Sequence, residues 1–154
     1  MELRFVCDAM LGTLARWLRF AGFDVFYSPK LDDDSLAALA RAEGRWLLTQ
    51  DRGLAAKAGP RVLLVPRGGL PEQVAALRQR LPLQADPALF FSRCSRCNGK
   101  LVSVSREQVK ALVPPFVAVH GERFVRCLSC GRVYWPGTHT PRIAATLRKL
   151  FVET

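Results

Sequence analysis

The sequence predicts an α/β chain, with helices laid on a mostly parallel sheet and then a small module closed on four cysteines. Short apolar runs alternate with amphipathic segments as far as residue 81, the rhythm of β-α units. Paired cysteines follow as Cys94-x-x-Cys97 and Cys127-x-x-Cys130. Acidic residues stand just past several apolar runs, at the carboxyl ends of strands, where an open parallel sheet gathers its ligands.

Residues 3–7 (LRFVC) read as a buried first strand. Leu11, Leu14, Ala15, Leu18 and Ala21 recur at helical spacing, so a helix is expected over 10–21, closed by Gly22 at C′. Residues 24–27 (DVFY) read as the second strand. The next helix begins in Asp32-Asp33-Asp34, where a carboxylate caps free N–H groups and faces the positive end of the dipole. Leu36, Leu39 and Ala40 form its inner stripe, and Gly44 ends it. Residues 46–49 (WLLT) read as the third strand, followed by Gln50, Asp51 and Arg52. A short helix over 53–58, a fourth strand over 62–65 and a helix over 71–80 complete a first domain at 1–81. Residues 82–92 carry two prolines and read as a linker anchored by Leu89-Phe90-Phe91. The second domain, 93–154, is expected to be a ribbon with a terminal helix over 141–151.

The chain of 154 residues carries a net charge of +10, with Lys and Arg exceeding Asp and Glu by 12 to 9 over residues 1–80 and by 11 to 4 over 81–154. Four thiolates on one dication would lower the second half from +7 to +5. Such an excess points to a polyanionic partner. No apolar run reaches the roughly 18 residues of a membrane span. Glu2 and Asp8 in the first ten residues are unlike a signal peptide. The expected location is the cytoplasm.

Two C-x-x-C knuckles present four sulfurs to one tetrahedral ion, which makes Cys94, Cys97, Cys127 and Cys130 a structural Zn²⁺ site. Gly99 and Gly131 let the backbone turn back toward the sulfurs. Disulfides suit an oxidising compartment, and a redox C-x-x-C belongs at a helix start and needs no second copy. A rubredoxin-type iron centre uses nearly the same ligands and stays open. Cys7 has no partner in the sequence and reads as a buried thiol.

Asp8 and Asp51 follow the first and third strands, and Asp33 and Asp34 open the second helix. Clustered carboxylates repel one another unless they hold a hard cation, and Mg²⁺ or Mn²⁺ on carboxylates is a usual apparatus for phosphodiester hydrolysis. Each acid also has a plainer reading, as a helix cap or a turn residue. A receiver domain would want an acidic pair where Cys7-Asp8 stands, and a D-x-D phosphatase fails at Met10. Arg16, Arg19 and Arg52 suit phosphate contacts. Trp17 is a stacking candidate with core packing as the favoured role. His120 and His139 lack metal-ligand spacing, and His139 is the better candidate for an RNA contact.

The segments Asp8-Ala-Met-Leu-Gly-Thr-Leu-Ala-Arg-Trp-Leu-Arg19, Asp32-Asp-Asp-Ser-Leu36 and Leu47-Leu-Thr-Gln-Asp-Arg-Gly-Leu54 resemble the Mut-seven C-terminal RNase domain family. So do the two cysteine knuckles, with Gly131-Arg-Val-Tyr-Trp135 and Gly137-Thr-His139. The resemblance covers about residues 3–140. It implies a PIN-like three-layer nuclease domain fused to a zinc ribbon, and metal-dependent cleavage of RNA. Carried over by position, Asp8 and Asp51 become the principal metal carboxylates, Asp33 the third with Asp34 beside it, and Arg52 a phosphate contact. Thr13 and Gln50 depart from the family, where a basic residue and Arg are common. The expected partner is RNA, with tRNA or ribosome-associated RNA as candidate classes. The alternatives are an RNA- or ribosome-binding module that hydrolyses nothing, and a protein-interaction adaptor.

Overall fold

The computed structural model describes residues 2–154. Its centre is a four-stranded sheet made of β1 (Arg4–Cys7), β2 (Asp24–Tyr27), β3 (Trp46–Thr49) and β4 (Val62–Leu64). The strands run parallel in the order β2-β1-β3-β4. Strand side chains alternate between faces, so each strand feeds two cores. Phe5, Cys7 and Leu48 join one core, while Val6 and Leu47 join the other.

Helix α1 (Gly12–Phe20) covers the first face with Leu14, Ala15 and Leu18, after a short 3-10 turn at Ala9–Leu11. Gly22 sits at φ +100°, and a Cβ there would come within 2.7 Å of the Leu89 carbonyl oxygen. Both the left-handed backbone and the close crossing require glycine. Helices α2 (Asp33–Glu43) and α3 (Arg52–Lys57) cover the second face with Leu36, Ala37, Ala40 and Leu54. Helix α4 (Leu70–Arg80) returns to the first face with Val74 and Leu77. The result is the expected α/β arrangement of helices on both sides of a parallel sheet.

After residue 81 the chain packs in a way local patterning does not reveal. Leu83 and Ala85 lie in the first-face core, and the Ala85 amide donates to the Phe151 carbonyl at 3.0 Å. The segment expected to be a linker is therefore a packed strap. The second module holds a three-stranded antiparallel sheet, β5 (Leu101–Val104), β6 (Phe124–Cys127) and β7 (Val133–Tyr134). Between β5 and β6 lie α5 (Arg106–Val109), opened by a Ser105/Gln108 capping box, and α6 (Pro115–His120). Val109, Val113 and Phe124 form this module's own small core. Helix α7 (Thr140–Phe151), expected to complete the ribbon, instead delivers Leu147 and Phe151 to the first-face core beside Leu18 and Leu77. Its apolar stripe finds there a far larger surface than the small ribbon core offers. No helix among the described residues is long and apolar enough to cross a membrane.

Candidate active site and metal centre

Because β1 and β3 are adjacent and parallel, the residues that follow them share one sheet edge. Asp8 is buried there, 5% exposed. Its Oδ1 accepts from the Met10 amide at 3.0 Å, and its Oδ2 accepts from the Thr49 hydroxyl at 2.5 Å and the Gln50 amide at 3.2 Å. The Thr49 oxygen in turn accepts from the Asp51 amide at 3.0 Å. One buried hydroxyl thus links the Asp8 carboxylate to the Asp51 backbone amide. Asp51 is exposed; its Oδ1 caps α3 by accepting from the Gly53 and Leu54 amides, while no hydrogen bond reaches its Oδ2 among the described residues. Met10, Gln50, Asp51, Arg52 and Arg67 line a polar cleft at this edge.

Asp33 and Asp34 open α2 and are fully solvent-facing. Asp34 lies 3.7 Å from Lys57 Nζ, and Asp32 performs the cap by accepting from the Ser35 amide. Among the described residues the four cysteines are the one group of three or more metal-capable side chains found together. Asp8 and Asp51 follow the adjacent strands β1 and β3, and Asp33 and Asp34 stand at the start of α2.

The predicted cations separate as well. Arg52 stands in the cleft beside Asp51. Arg16 is exposed, with its guanidinium 5.3 Å from the centre of the Phe20 ring. Arg19, expected to contact phosphate, is corrected by the structure: it is 5% exposed, and its fork donates to the Val25 carbonyl through Nε and Nη2 and to the Ser95 carbonyl through Nη1. Position 19 falls on the same helical stripe as Ala15 and Leu18, which carries it inward. Trp17 packs edge-to-face on Phe20. His139 is exposed just before α7, and His120 stacks on Phe116. Thr49 and Arg67 were not singled out from the sequence. Their signal was position, the last residue of β3 and the third residue past β4, on the same edge as the aspartates.

The cysteines form a separate centre. Cys97 and Cys127 sulfurs are 3.4 Å apart, and Cys94 and Cys130 sulfurs 3.8 Å apart, too long for disulfides. Metal–sulfur bonds of about 2.3 Å in a tetrahedron place sulfurs about 3.8 Å from one another, so the donor set fits one ion. The Gly99 amide points at Cys97 Sγ, and the Ser129 and Cys130 amides at Cys127 Sγ, each at 3.4 Å. The Arg132 amide and side chain bring the Cys130 thiol down to about 6, while burial pushes the neighbouring Cys97 thiol up. A Cβ on Gly99 would meet Cys127 Sγ at 2.6 Å, so only glycine fits between the knuckles. The first knuckle precedes a strand, not a helix, unlike a redox C-x-x-C. Cys7 is fully buried, and burial pushes its thiol well above the ordinary range.

This centre docks on the edge strand β2. Asn98, at φ +76°, accepts from the Val25 amide at 2.9 Å and donates to Asp24 Oδ1 at 2.7 Å. Burial would raise the Asp24 carboxyl, but hydrogen bonds from Arg45 and Asn98 and the charges of Arg45 and Arg93 hold it below its usual value.

The family model described as the Mut7-C RNAse domain matches residues 3–147. A human relative, Exonuclease mut-7 homolog, is 36% identical over 117 residues, which cover 71% of this chain and 13% of that protein. The chain thus spans only a small part of that relative's length, and no solved structure matches it. With that match running from the first strand into the last helix, the chain belongs to the Mut7-C RNAse domain family.

Proposed function

We propose that this chain is a metal-dependent ribonuclease of PIN-like type, working in the cytoplasm, with Asp8 and Asp51 as its central acids. The observation that carries the reading is the Asp8–Thr49–Asp51 link at the ends of adjacent parallel strands, beside a cleft that holds Arg52 and Arg67. Hard carboxylate oxygens suit Mg²⁺ or Mn²⁺, and Asp51 Oδ2 has a free coordination position. Such an ion, when bound, supplies an activated water and a counter-charge for the attacked phosphate. The chain's own residues hold the acids still, since Thr49 and the Met10 and Gln50 amides fix the Asp8 carboxylate and the start of α3 fixes Asp51. Arg52 and Arg67 offer fork-shaped donors to the phosphates on either side. Asp33 is the third acid in this reading with Asp34 beside it, and Asp33 is free of the Lys57 contact that engages Asp34.

The cysteine centre takes structural Zn²⁺ in this reading, and the basic second module holds RNA along its backbone. Labelled RNA incubated with Mn²⁺ and the intact chain tests it. Cleavage should fall by orders of magnitude in Asp51→Asn and in Asp8→Asn. Cleavage indifferent to both substitutions would refute the assignment. The engagement of both Asp8 oxygens by protein donors favours a second reading, an RNA- or ribosome-binding module without hydrolysis, which would appear as RNA affinity with no cleavage of tRNA, rRNA or unstructured strands.

A further inference from the structure

We propose that the aromatic hollow between α1 and the second module receives one unstacked nucleobase of a single-stranded RNA. The hollow, about 440 Å³, is walled by Phe20, Phe91, Tyr134 and Trp135, with Arg93 and Arg123 at its margin. Its size falls in the range of small-ligand sites, roughly 300–1,000 Å³. The inference rests on RNA being the substrate and adds where the strand is gripped.

Three features select this occupant. The walls are aromatic: Phe20 and Phe91 meet edge-to-face at 6.0 Å, and Trp135 remains 36% exposed. Flat aromatic walls suit a planar π system, because every base offers a face for stacking irrespective of its identity. The margin is cationic. No acidic residue lines the hollow; Arg123 is exposed without an ion-pair partner among the described residues, and Arg16 lies over the outer side of Phe20. Arg93 already faces Asp24 at 3.8 Å, so an apolar peptide or lipid tail would use the walls but leave Arg123 unmatched, whereas a nucleotide carries a phosphate beside its base. The walls are also preset. Phe91 sits at φ +60°, a left-handed conformation that a bulky residue rarely adopts, held by its amide donating to the Phe20 carbonyl at 2.8 Å.

The hollow lies away from the Asp8–Asp51 edge. Phe20 is eight residues beyond Gly12 on α1, about 12 Å along the helix axis. A strand seated here and cut at the aspartates would span a few nucleotides, so the base site acts as a distal anchor and does not touch the reacting phosphate.

The test uses the full metal-loaded chain and fluorescence anisotropy of a short labelled RNA, offered single-stranded and annealed to its complement. Trp135→Ala should weaken single-strand binding on the order of tenfold, the size of one lost base stack. It should leave the salt dependence unchanged, and Trp135→Phe should restore most of the affinity. Arg123→Gln should instead flatten the salt slope by about one phosphate contact. Should Trp135→Ala disturb folding, abasic substitutions walked along the RNA read the same contact on unaltered protein, and one position should dominate. Equal affinity for duplex and single strand, wild-type binding by Trp135→Ala, uniform abasic effects or absence of RNA binding would each overturn the proposal. Asp51→Asn separates the two readings. Cleavage indifferent to Asp51→Asn, with affinity still dependent on Trp135, sinks the nuclease assignment and leaves the base site standing.

Discussion

Replacing Thr49 by valine removes one hydroxyl and changes almost nothing else in shape. Thr49 is fully buried, so no water can take the hydroxyl's place without opening the edge between β1 and β3. Two bonds disappear: a donation to a buried carboxylate at 2.5 Å, and an acceptance from the Asp51 amide at 3.0 Å. A hydrogen bond to a charged group contributes about 1.5–3 kcal/mol, and the half-buried Asp51 amide adds up to about 1 kcal/mol. Burying a methyl in place of a hydroxyl returns somewhat under 1 kcal/mol. The net loss should be about 2 kcal/mol, or roughly 4–8 °C in melting temperature for a chain of this size. Urea unfolding of Thr49→Val, Asp8→Asn and the double variant, all metal-loaded at the cysteine centre, isolates the link itself. The coupling between the two positions should exceed about 1 kcal/mol. Additive effects within about 0.3 kcal/mol would mean that the hydroxyl does not hold Asp8, and the argument for a prepared carboxylate pair would fall with it. Thr49→Ser, which keeps the hydroxyl, should recover most of the coupling.

Asn98→Gly removes both bonds from the knuckle to β2 while tolerating the left-handed backbone, and should cost about 2–4 kcal/mol in urea unfolding; Asn98→Ala should cost about 1 kcal/mol more because alanine resists φ +76°. Gly99→Ala drives a methyl into Cys127 Sγ, so the variant should retain less zinc than wild type after competition with a chelator, measured by elemental analysis. Acid stability should depend on Asp24. Its folded carboxyl titrates below the unfolded value near 3.9, so its contribution is complete above about pH 4 and is lost as pH falls through the folded value. The difference in urea midpoint between wild type and Asp24→Asn should therefore shrink toward pH 3; a difference that stays constant from pH 7 to pH 3 would refute this.

The parts of the molecule built on local periodicity were legible from the chain. Residues 24–27 and 46–49 are strands with the bounds the apolar runs suggest, and the triple aspartate does open α2. The C-x-x-C spacing was equally transparent, because a tetrahedral site constrains sequence distance as well as geometry. What escaped depends on contacts between distant segments. Nothing in residues 140–151 reveals whether their stripe meets the ribbon or the first core, since both surfaces are apolar. The chemistry of Arg19 suits a phosphate contact, although its place beside Leu18 on the inner stripe already argues for the burial observed. The helices between β5 and β6 were hidden because they are short, yet Ser105 three residues before Gln108 marked the first of them. At the candidate site, strand ends located Asp8 and Asp51 on one edge, while the Thr49 link between them depends on β1 pairing with β3, which no local pattern encodes.

The late arrival of α7 shapes how the protein can be made. During synthesis the sheet and α1 are complete long before Leu147 and Phe151 emerge, about sixty residues after Ala85. At roughly 5–20 residues per second, that interval lasts about 3–12 s. Throughout it, the first face of the sheet lacks its final cover, and the nascent chain presents a greasy notch to the crowded milieu outside the ribosome. A holding chaperone has its opportunity there, and a translational stall between residues 85 and 140 should leave a sticky product prone to clumping or degradation.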